Sequence, residues 1–457
     1  LEYNKLILHE DKFVKERFID RSKPVTDPLK KNSLPTMSTP TKKAASKYQV
    51  KVKLLKEDCS LFGRLYIACQ TRDGNLDEFF SYENQPWPPS LSNQGQLRGG
   101  QKADLLKCLP QATSPVSTPP VDAVILDGAV IVQMLEPKTS RTFDEYFRIV
   151  FAPYVFKQLE NAKRVDLVWD VYLDDSLKKS LREKRGTGQR RKVMGSTRIP
   201  RDWKGFLRVD GNKEELFKLL ASKVVSLALP IGKEVYSTHV VSTLSVDEFW
   251  ITYGAGKNVQ HMLAHVVASS LGPSKASALP MFHALTGADT VSFFRNRGKK
   301  SAWDVWNVFP ELTPVICALK ASPEIITEES LAVLESLLKV NEARQELFCK
   351  KSREFDCILP TKAALEQHIR RAVLQGAHTW GQTLLCQPAL PSPADWGWHR
   401  QARRWSPYWT TLKQAKDTCY ELIHCGCKTA CRGRCKCMKA NLVCTGLCKC
   451  GGNCQQQ

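Results

Sequence analysis

Nothing in this chain has the length of a membrane helix. No uninterrupted apolar run approaches the roughly 20 residues that cross a bilayer, and no signal-peptide pattern is visible. Membrane and secreted readings are therefore set aside. Acid is also in short supply: 46 Asp and Glu stand against 67 Lys and Arg, a formal net charge of +21. Such a surplus points to a polyanionic partner held by counterion release; a merely soluble basic protein is the plainer alternative. Outside the last thirty-three residues the cysteines are scattered singly, as expected in a reducing compartment. No initiator methionine precedes Leu1, so a fragment or an incomplete gene model is expected.

What is present begins with size. The 457 residues, 42% hydrophobic and 25% charged, suit a globular protein of two or three domains with a sizeable core. The most informative segment is the last. Cys425, Cys427, Cys431, Cys435, Cys437, Cys444, Cys448, Cys450 and Cys454 read C-x-C-x3-C-x3-C-x-C-x6-C-x3-C-x-C-x3-C. So many thiols, with almost no large apolar residues between them, cannot build a hydrophobic core. Disulfides are one means of cohesion, but nine is an odd number. Zinc is the other. A tetrahedral site takes four thiolates, so three ions need nine sulfurs if three of them each bridge two ions. The segment is expected to hold three zinc ions, with a disulfide knot or another metal count as the alternatives. His424 could add an outer ligand. Such a cluster carries a charge of about −3, which leaves the protein strongly basic.

The run CGCKTACRGRCKCMKANLVCTGLCKCGGNC, Cys425 to Cys454, resembles the tesmin-type CXC domain, a zinc module of chromatin and DNA-binding proteins. Two early gaps and the last differ from the family rhythm by one residue. The resemblance implies nucleic-acid binding, typically through the minor groove. Arg434 stands where DNA-binding members usually have a tyrosine, and an arginine also suits a narrow minor groove. Only one such unit is present, where many members carry two.

Residues 1–47 read as a polar arm, and 48–120 as an N-terminal region and linker. Within it KVKLL and LFGRLYIACQ look strand-like, FFSYENQPWPPSLS looks like a loop packed on a larger body, and QATSPVSTPP is a linker. An alternation then begins. VDAVILDGAVIVQML has a buried-strand pattern, and TFDEYFRIVFAPYVFKQLENA is helical with Thr142 as N-cap. RVDLVWDVY is a strand, GNKEELFKLLASKVVSLAL a helix, EFWITYG a strand and NVQHMLAHVVASSLG a helix. This order predicts an α/β fold with a mainly parallel sheet over 121–310. A helical extension, 311–385, a Trp- and Pro-rich bridge, 386–418, and the zinc module, 419–457, follow.

In parallel sheets ligands sit beyond the carboxyl ends of the strands. Asp127 and Asp170 lie near such ends, and Asp289 follows a glycine turn. Converging, they would hold Mg²⁺ for phosphodiester hydrolysis; taken singly, each is an ordinary turn or cap residue. ILDGAVIVQML, RVDLVWDVYLDDSLKKSLREKRGTGQRR, FWITYGAGKNVQ and FHALTGADTVSFFRNRGKKSAWDVW together resemble a PIN-like, flap-endonuclease-like domain from a transposon-associated family of animal proteins. In that family the same bridge and a terminal CXC segment follow. The resemblance runs from about Leu6 to Cys454 and implies acidic metal ligands at Asp127, Asp170 and Asp289. Relatives carry two more acidic blocks where this chain has only STHVVSTLSVD. The PIN-like sheet is therefore expected to be truncated near 238–248, with Asp247 and Glu248 as the only nearby acids. Either the copy is catalytically dead or the gene model skips an exon.

The strongest basic run is Lys178 to Lys192, with Lys178, Lys179, Arg182, Lys184, Arg185, Arg190, Arg191 and Lys192. It reads as a loop for phosphate contact or nuclear import, or as a plain solvated loop. Lys299 and Lys300 form a smaller patch beside Asp289. Trp396, Trp398, Trp405 and Trp409 could stack on bases but are better read as pinning the bridge to the body. His261 and His265 have metal-binding i, i+4 spacing without an HExxH pattern or a third ligand, and read as core or surface histidines.

The expected function is that of a nuclear, zinc-containing nucleic-acid-binding protein on a degenerate PIN-like scaffold, with cytoplasm as the other location. Its partner would be nucleic acid, DNA before RNA. An active nuclease, with Mg²⁺ as cofactor in that case only, and a protein-interaction module are the alternatives.

Overall fold

Asp127 marks the point where a continuous apolar run changes structure. Strand β1, Val121–Asp127, stops there, and the rest of VDAVILDGAVIVQML is helical, Gly128–Met134, where the sequence pattern suggested strand. The Asp127 carboxylate accepts from the Val130 amide at 3.0 Å, capping the first turn. A side chain at Gly128 would place its Cβ 2.4 Å from the Trp169 ring. Only glycine allows this strand-to-helix corner to pack so closely.

The computed structural model describes residues 14–22, 64, 67–69, 72, 80–109, 121–172, 176–178, 188–238, 248–253, 259–338, 357–383, 388–401, 404–415, 422–427 and 435–450. The chain divides into two units, Leu1–Ser60 and Leu61–Gln457. The described part of the first is a π-helical turn, Lys15–Ile19. KVKLL and the 111–120 linker lie outside the described residues.

In the second unit, Thr142 caps the next helix as expected, accepting from the Glu145 amide at 3.2 Å. That helix runs through Phe143–Tyr146, a π-turn at Phe147–Phe151 and Ala152–Asn161. Strand β2, Ala162–Val168, helix Asp210–Val224 and strand β3, Glu234–Thr238, complete an α/β layer. The sheet is parallel, in the order β1-β2-β3, with Asp127 level with Val168 and Val168 level with Thr238. EVYST had no strand assignment from sequence, because five residues opening on a charge give no clear period. Its core gathers Phe143, Tyr146, Phe151, Leu159, Trp169 and Phe217. The Trp169 ring stacks on Phe151 at 6.0 Å and meets Phe217 at 5.0 Å. The indole N–H donates to Ser237 Oγ at 2.9 Å, tying β2 to β3.

EFWITYG does form a strand, Trp250–Tyr253, but outside this sheet. It pairs antiparallel with Gln260–Leu263, so the first residues of the expected NVQHMLAHVV helix are strand and the helix starts at Ala264. That helix reaches Leu285 and kinks at Gly272, where φ is +74° ahead of Pro273. Helices Lys299–Val308, Leu312–Ala321, Glu328–Leu338 and Lys362–Val373 pack with it, the last three within the helical extension expected over 311–385. They share a second core with Met281, Phe282, Trp306, Ile316 and Ile369.

The bridge folds as a hairpin, Trp398–Gln401 against Arg404–Pro407. Trp396, Trp398 and Trp409 are buried, and Trp405 packs on the helical core, so these rings pin the bridge to the body as read from sequence. Arg371, buried in helix Lys362–Val373, donates to Gly397 O at 3.0 Å and Tyr408 O at 2.7 Å. The Pro-rich loop also packs as expected: buried Glu83 accepts from the Thr361 amide at 2.7 Å through its side chain and from the Ala415 amide at 2.9 Å through its carbonyl. LFGRLYIACQ departs from its strand pattern, since Ile67, Ala68 and Cys69 are helical. Among the described residues no helix is long and apolar enough to cross a membrane.

Candidate metal centre

The C-terminal module is built from short turns that aim sulfur inward. Cys435 caps a single helical turn, Lys436–Lys439, its Sγ accepting from the Met438 amide at 3.4 Å. Asn441 adopts φ +54°, and the chain reverses so that the Leu442 amide returns to Cys437 O at 2.9 Å. Two backbone contacts then join the ends of the module: Lys449 N donates to Cys425 O at 3.1 Å, and Cys425 N to Cys448 Sγ at 3.4 Å.

This folding collects two groups of four thiols, Cys425, Cys435, Cys437 and Cys444, and Cys425, Cys444, Cys448 and Cys450. Within each group the sulfurs lie within 4.8 Å of one another, and Cys425 and Cys444 belong to both. The Cys437–Cys448, Cys425–Cys444 and Cys425–Cys450 sulfurs are 3.6, 3.7 and 4.0 Å apart. A disulfide requires about 2.05 Å, whereas four thiolates around zinc at about 2.3 Å stand about 3.8 Å from one another. The described cysteines are all outside disulfides. The donors therefore fit a soft, tetrahedral metal such as zinc. Cys427 packs beside the cluster, and Cys431, Cys454 and Arg434 lie outside the described residues. His424 is exposed and its Nδ1 lies 3.2 Å from Leu422 O; it joins neither group of thiols.

The thiols differ electrostatically. Burial raises the Cys437 thiol, and its contact with Cys448 raises it further, to about 12. Burial also pushes Cys448 upward, but the Cys425 and Thr445 backbone amides and the Cys437 thiol outweigh it and bring Cys448 down to about 6. Cys448 therefore loses its proton more readily than Cys437 and suits the role of first ligand, since metal binds the deprotonated form.

The three carboxylates take separate places. Asp127 lies at the carboxyl end of β1, and Asp170 follows β2 by two residues, exposed and accepting from Tyr172 Oη at 3.2 Å. Asp289 lies beside the helical core instead, exposed and paired with Lys102. Among the described residues the only groups of three or more metal-binding side chains are the cysteine ones, so the three aspartates are not gathered around one point. Asp247 lies outside the described residues.

The basic residues also divide. Lys178, Arg191, Lys192 and Lys300 are exposed, while Lys179, Arg182, Lys184 and Arg185 lie outside the described residues. Arg190 is engaged with helix Asp210–Val224, pairing with Glu215 and donating to Asn212 Oδ1 at 3.1 Å. Lys299 corrects the sequence reading. It is 1% exposed and donates to His283 O at 2.9 Å and Thr286 Oγ1 at 2.8 Å. It thus satisfies the end of helix Ala264–Leu285 rather than a phosphate, and burial lowers its pKa to about 7. His261 is on a strand, bonded to Thr252 Oγ1 at 2.9 Å, and His265 is on the following helix, so their i, i+4 spacing does not place them on one helical face.

One residue of this centre escaped the sequence reading: Arg72, whose side chain reaches into the cysteine module. Its partners are more than 350 positions away, and no local pattern marks it. No family model, curated protein or solved structure matches this chain.

Proposed function

We propose that this chain is a zinc-bearing nucleic-acid-binding protein whose C-terminal module holds three zinc ions on nine thiolates. The observation that carries the metal is the overlap of two thiol tetrads at Cys425 and Cys444. Shared sulfurs are what a bridged cluster needs, and the 3.6–4.0 Å separations suit thiolates around zinc better than disulfides. The nucleic-acid partner rests on the +21 charge, on exposed Lys178, Arg191, Lys192 and Lys300, and on the resemblance to CXC domains. DNA is the favoured polymer, with Arg434 toward the minor groove, and the nucleus the favoured location.

The scaffold is proposed as a truncated PIN-like domain of the transposon-associated family, catalytically inactive. β1 supports truncation. Its VDAVIL run is as apolar as a strand covered on both faces, yet only Leu126 of that strand is buried and Ile125 is 38% exposed. Parallel strands are normally covered on both faces, so the exposed apolar face of β1 is what loss of a neighbouring unit would leave. The separation of Asp289 from the sheet supports loss of catalysis. The second reading, a Mg²⁺-dependent nuclease, draws on the shared strand-end position of Asp127 and Asp170.

Metal analysis of the purified chain, combined with anisotropy titration of duplex DNA at several salt concentrations, tests the proposal. Three zinc per chain and an affinity falling steeply with salt are expected. A chain without zinc overturns the metal reading, and the absence of salt-dependent DNA affinity overturns the nucleic-acid reading in favour of a protein-interaction module. Mg²⁺-dependent cleavage that Asp127→Asn abolishes would restore the nuclease.

A further inference from the structure

Arg72 is 8% exposed, and its guanidinium reaches the cysteine module from 365 positions before Cys437. Its amide donates to Ala68 O at 3.0 Å. Nε and Nη2 donate to Val443 O at 2.8 and 2.6 Å. Nη1 donates to Ile423 O at 2.9 Å, and Nη2 also reaches Cys437 Sγ at 3.5 Å. The two carbonyls have a specific place in the sequence. Val443 immediately precedes Cys444 and Ile423 is two residues before Cys425. Cys444 and Cys425 are the two thiols common to both tetrads. One planar fork therefore sets the backbone leading into both shared sulfurs and touches a third ligand.

We infer that Arg72 is an outer-sphere residue of the metal centre that positions the shared thiolates, so that metal loading docks the Ile67–Arg72 segment onto the module. This rests on the metal reading above. Three physical reasons support it. A cluster of thiolates around divalent ions is anionic, and a guanidinium, never deprotonated, compensates that charge without competing as a ligand. A hydrogen bond to a ligating sulfur orients the ligand and tunes its basicity. The fork geometry also fixes two carbonyls at once, which a lysine cannot do. Ile67 stands beside the module too, its Cγ2 3.4 Å from where a Cβ on Gly446 would lie. The effect runs both ways: Arg72 tightens the site, and an occupied site holds the segment in place.

The test uses the full chain loaded with zinc, competed against a chromophoric chelator, for the wild type, Arg72→Lys and Arg72→Gln. Ten- to hundredfold weaker retention of at least one ion is expected for Arg72→Gln, in the range found for outer-sphere partners, with Arg72→Lys in between. Cobalt substitution should show an altered thiolate charge-transfer band in both variants. Hydrogen exchange at residues 67–72 of the wild type, with and without chelator, does not depend on the variants folding. It should quicken strongly when metal is removed. Equal metal retention in all three proteins, or exchange at 67–72 indifferent to metal, overturns the Arg72 inference while leaving the zinc module standing. A wild type that retains no metal at all overturns the module reading instead, and this inference with it.

Discussion

The sheet layer buries Phe143, Tyr146, Phe151, Leu159, Trp169 and Phe217, whereas the described part of the C-terminal module buries five cysteines with Leu422 and Thr445. Each large side chain in the first region stabilises it by about 1.5–3 kcal/mol through burial alone. The second has no comparable apolar area. Its sulfurs face one another at distances that suit a shared ion and contribute little cohesion without one. One chain thus contains a region held by packing and a region whose cohesion would come from a bound metal, and the two should respond to opposite treatments.

The largest expected effect is therefore chelation, or Cys444→Ser, which removes a thiol from both tetrads. Apparent zinc binding energies in small modules are about 10–16 kcal/mol, so residues 422–450 should exchange their amide protons at once. Helix Asp210–Val224 should keep its protection in the same experiment. If both regions lose protection together, the division between them is wrong.

The converse substitution is Phe151→Ala. Phe151 is fully buried between Tyr146 and Trp169, and its loss should destabilise the sheet layer by about 3–5 kcal/mol. Denaturant unfolding followed by tryptophan fluorescence reads this directly. Zinc content should not change.

Acid separates the sheet layer from the helical body. Burial, helped by Lys299 and Lys102, holds His283 down to about 4, and burial beside Arg371 holds His368 down to about 3. Both rings are neutral in the fold but protonated in the unfolded chain below its ordinary value near 6.5. Stability of the helical body is therefore whole above about pH 6.5 and falls as pH drops through 6 toward 4. Each tenfold preference of the fold for a neutral ring corresponds to about 1.4 kcal/mol. Among the described residues the sheet core buries no histidine. Hydrogen exchange in metal-free protein at pH 7 and pH 4.5 should show helix Lys362–Val373 losing protection before helix Asp210–Val224. The reverse order would contradict the burial of His283 and His368.

The smallest effect is local. Thr142→Ala removes the cap on the Glu145 amide and should cost about 1 kcal/mol, read as a small drop in the sheet layer's melting temperature. The metal centre should not respond.

Much of the local structure was legible in the chain itself. Thr142 followed by a 3.6-residue apolar period announces a capped helix, and the apolar run of RVDLVWDVY announces β2. Where two signals overlapped, the pattern misled. VDAVILDGAVIVQML reads as one strand because apolar residues fill both halves, yet the Asp127 side chain and the Gly128 approach to Trp169 turn its second half into helix. QHML reads as the start of a helix, but pairing with Trp250–Tyr253 makes it a strand.

The sequence by itself determined the chemistry of the last segment, because thiols one to six residues apart must meet in any compact turn and too few apolar residues intervene to hold them otherwise. Only the tertiary structure decided which distant groups share a place. It sets Asp289 by the helical core and away from the sheet's strand ends, buries Lys299 under a helix terminus, and brings Arg72 to Cys437 across 365 positions. The physical reason is range. Ligand spacing and capping act within a few residues, whereas a salt bridge, a buried cation or an outer-sphere hydrogen bond depends on which faces the cores bring together.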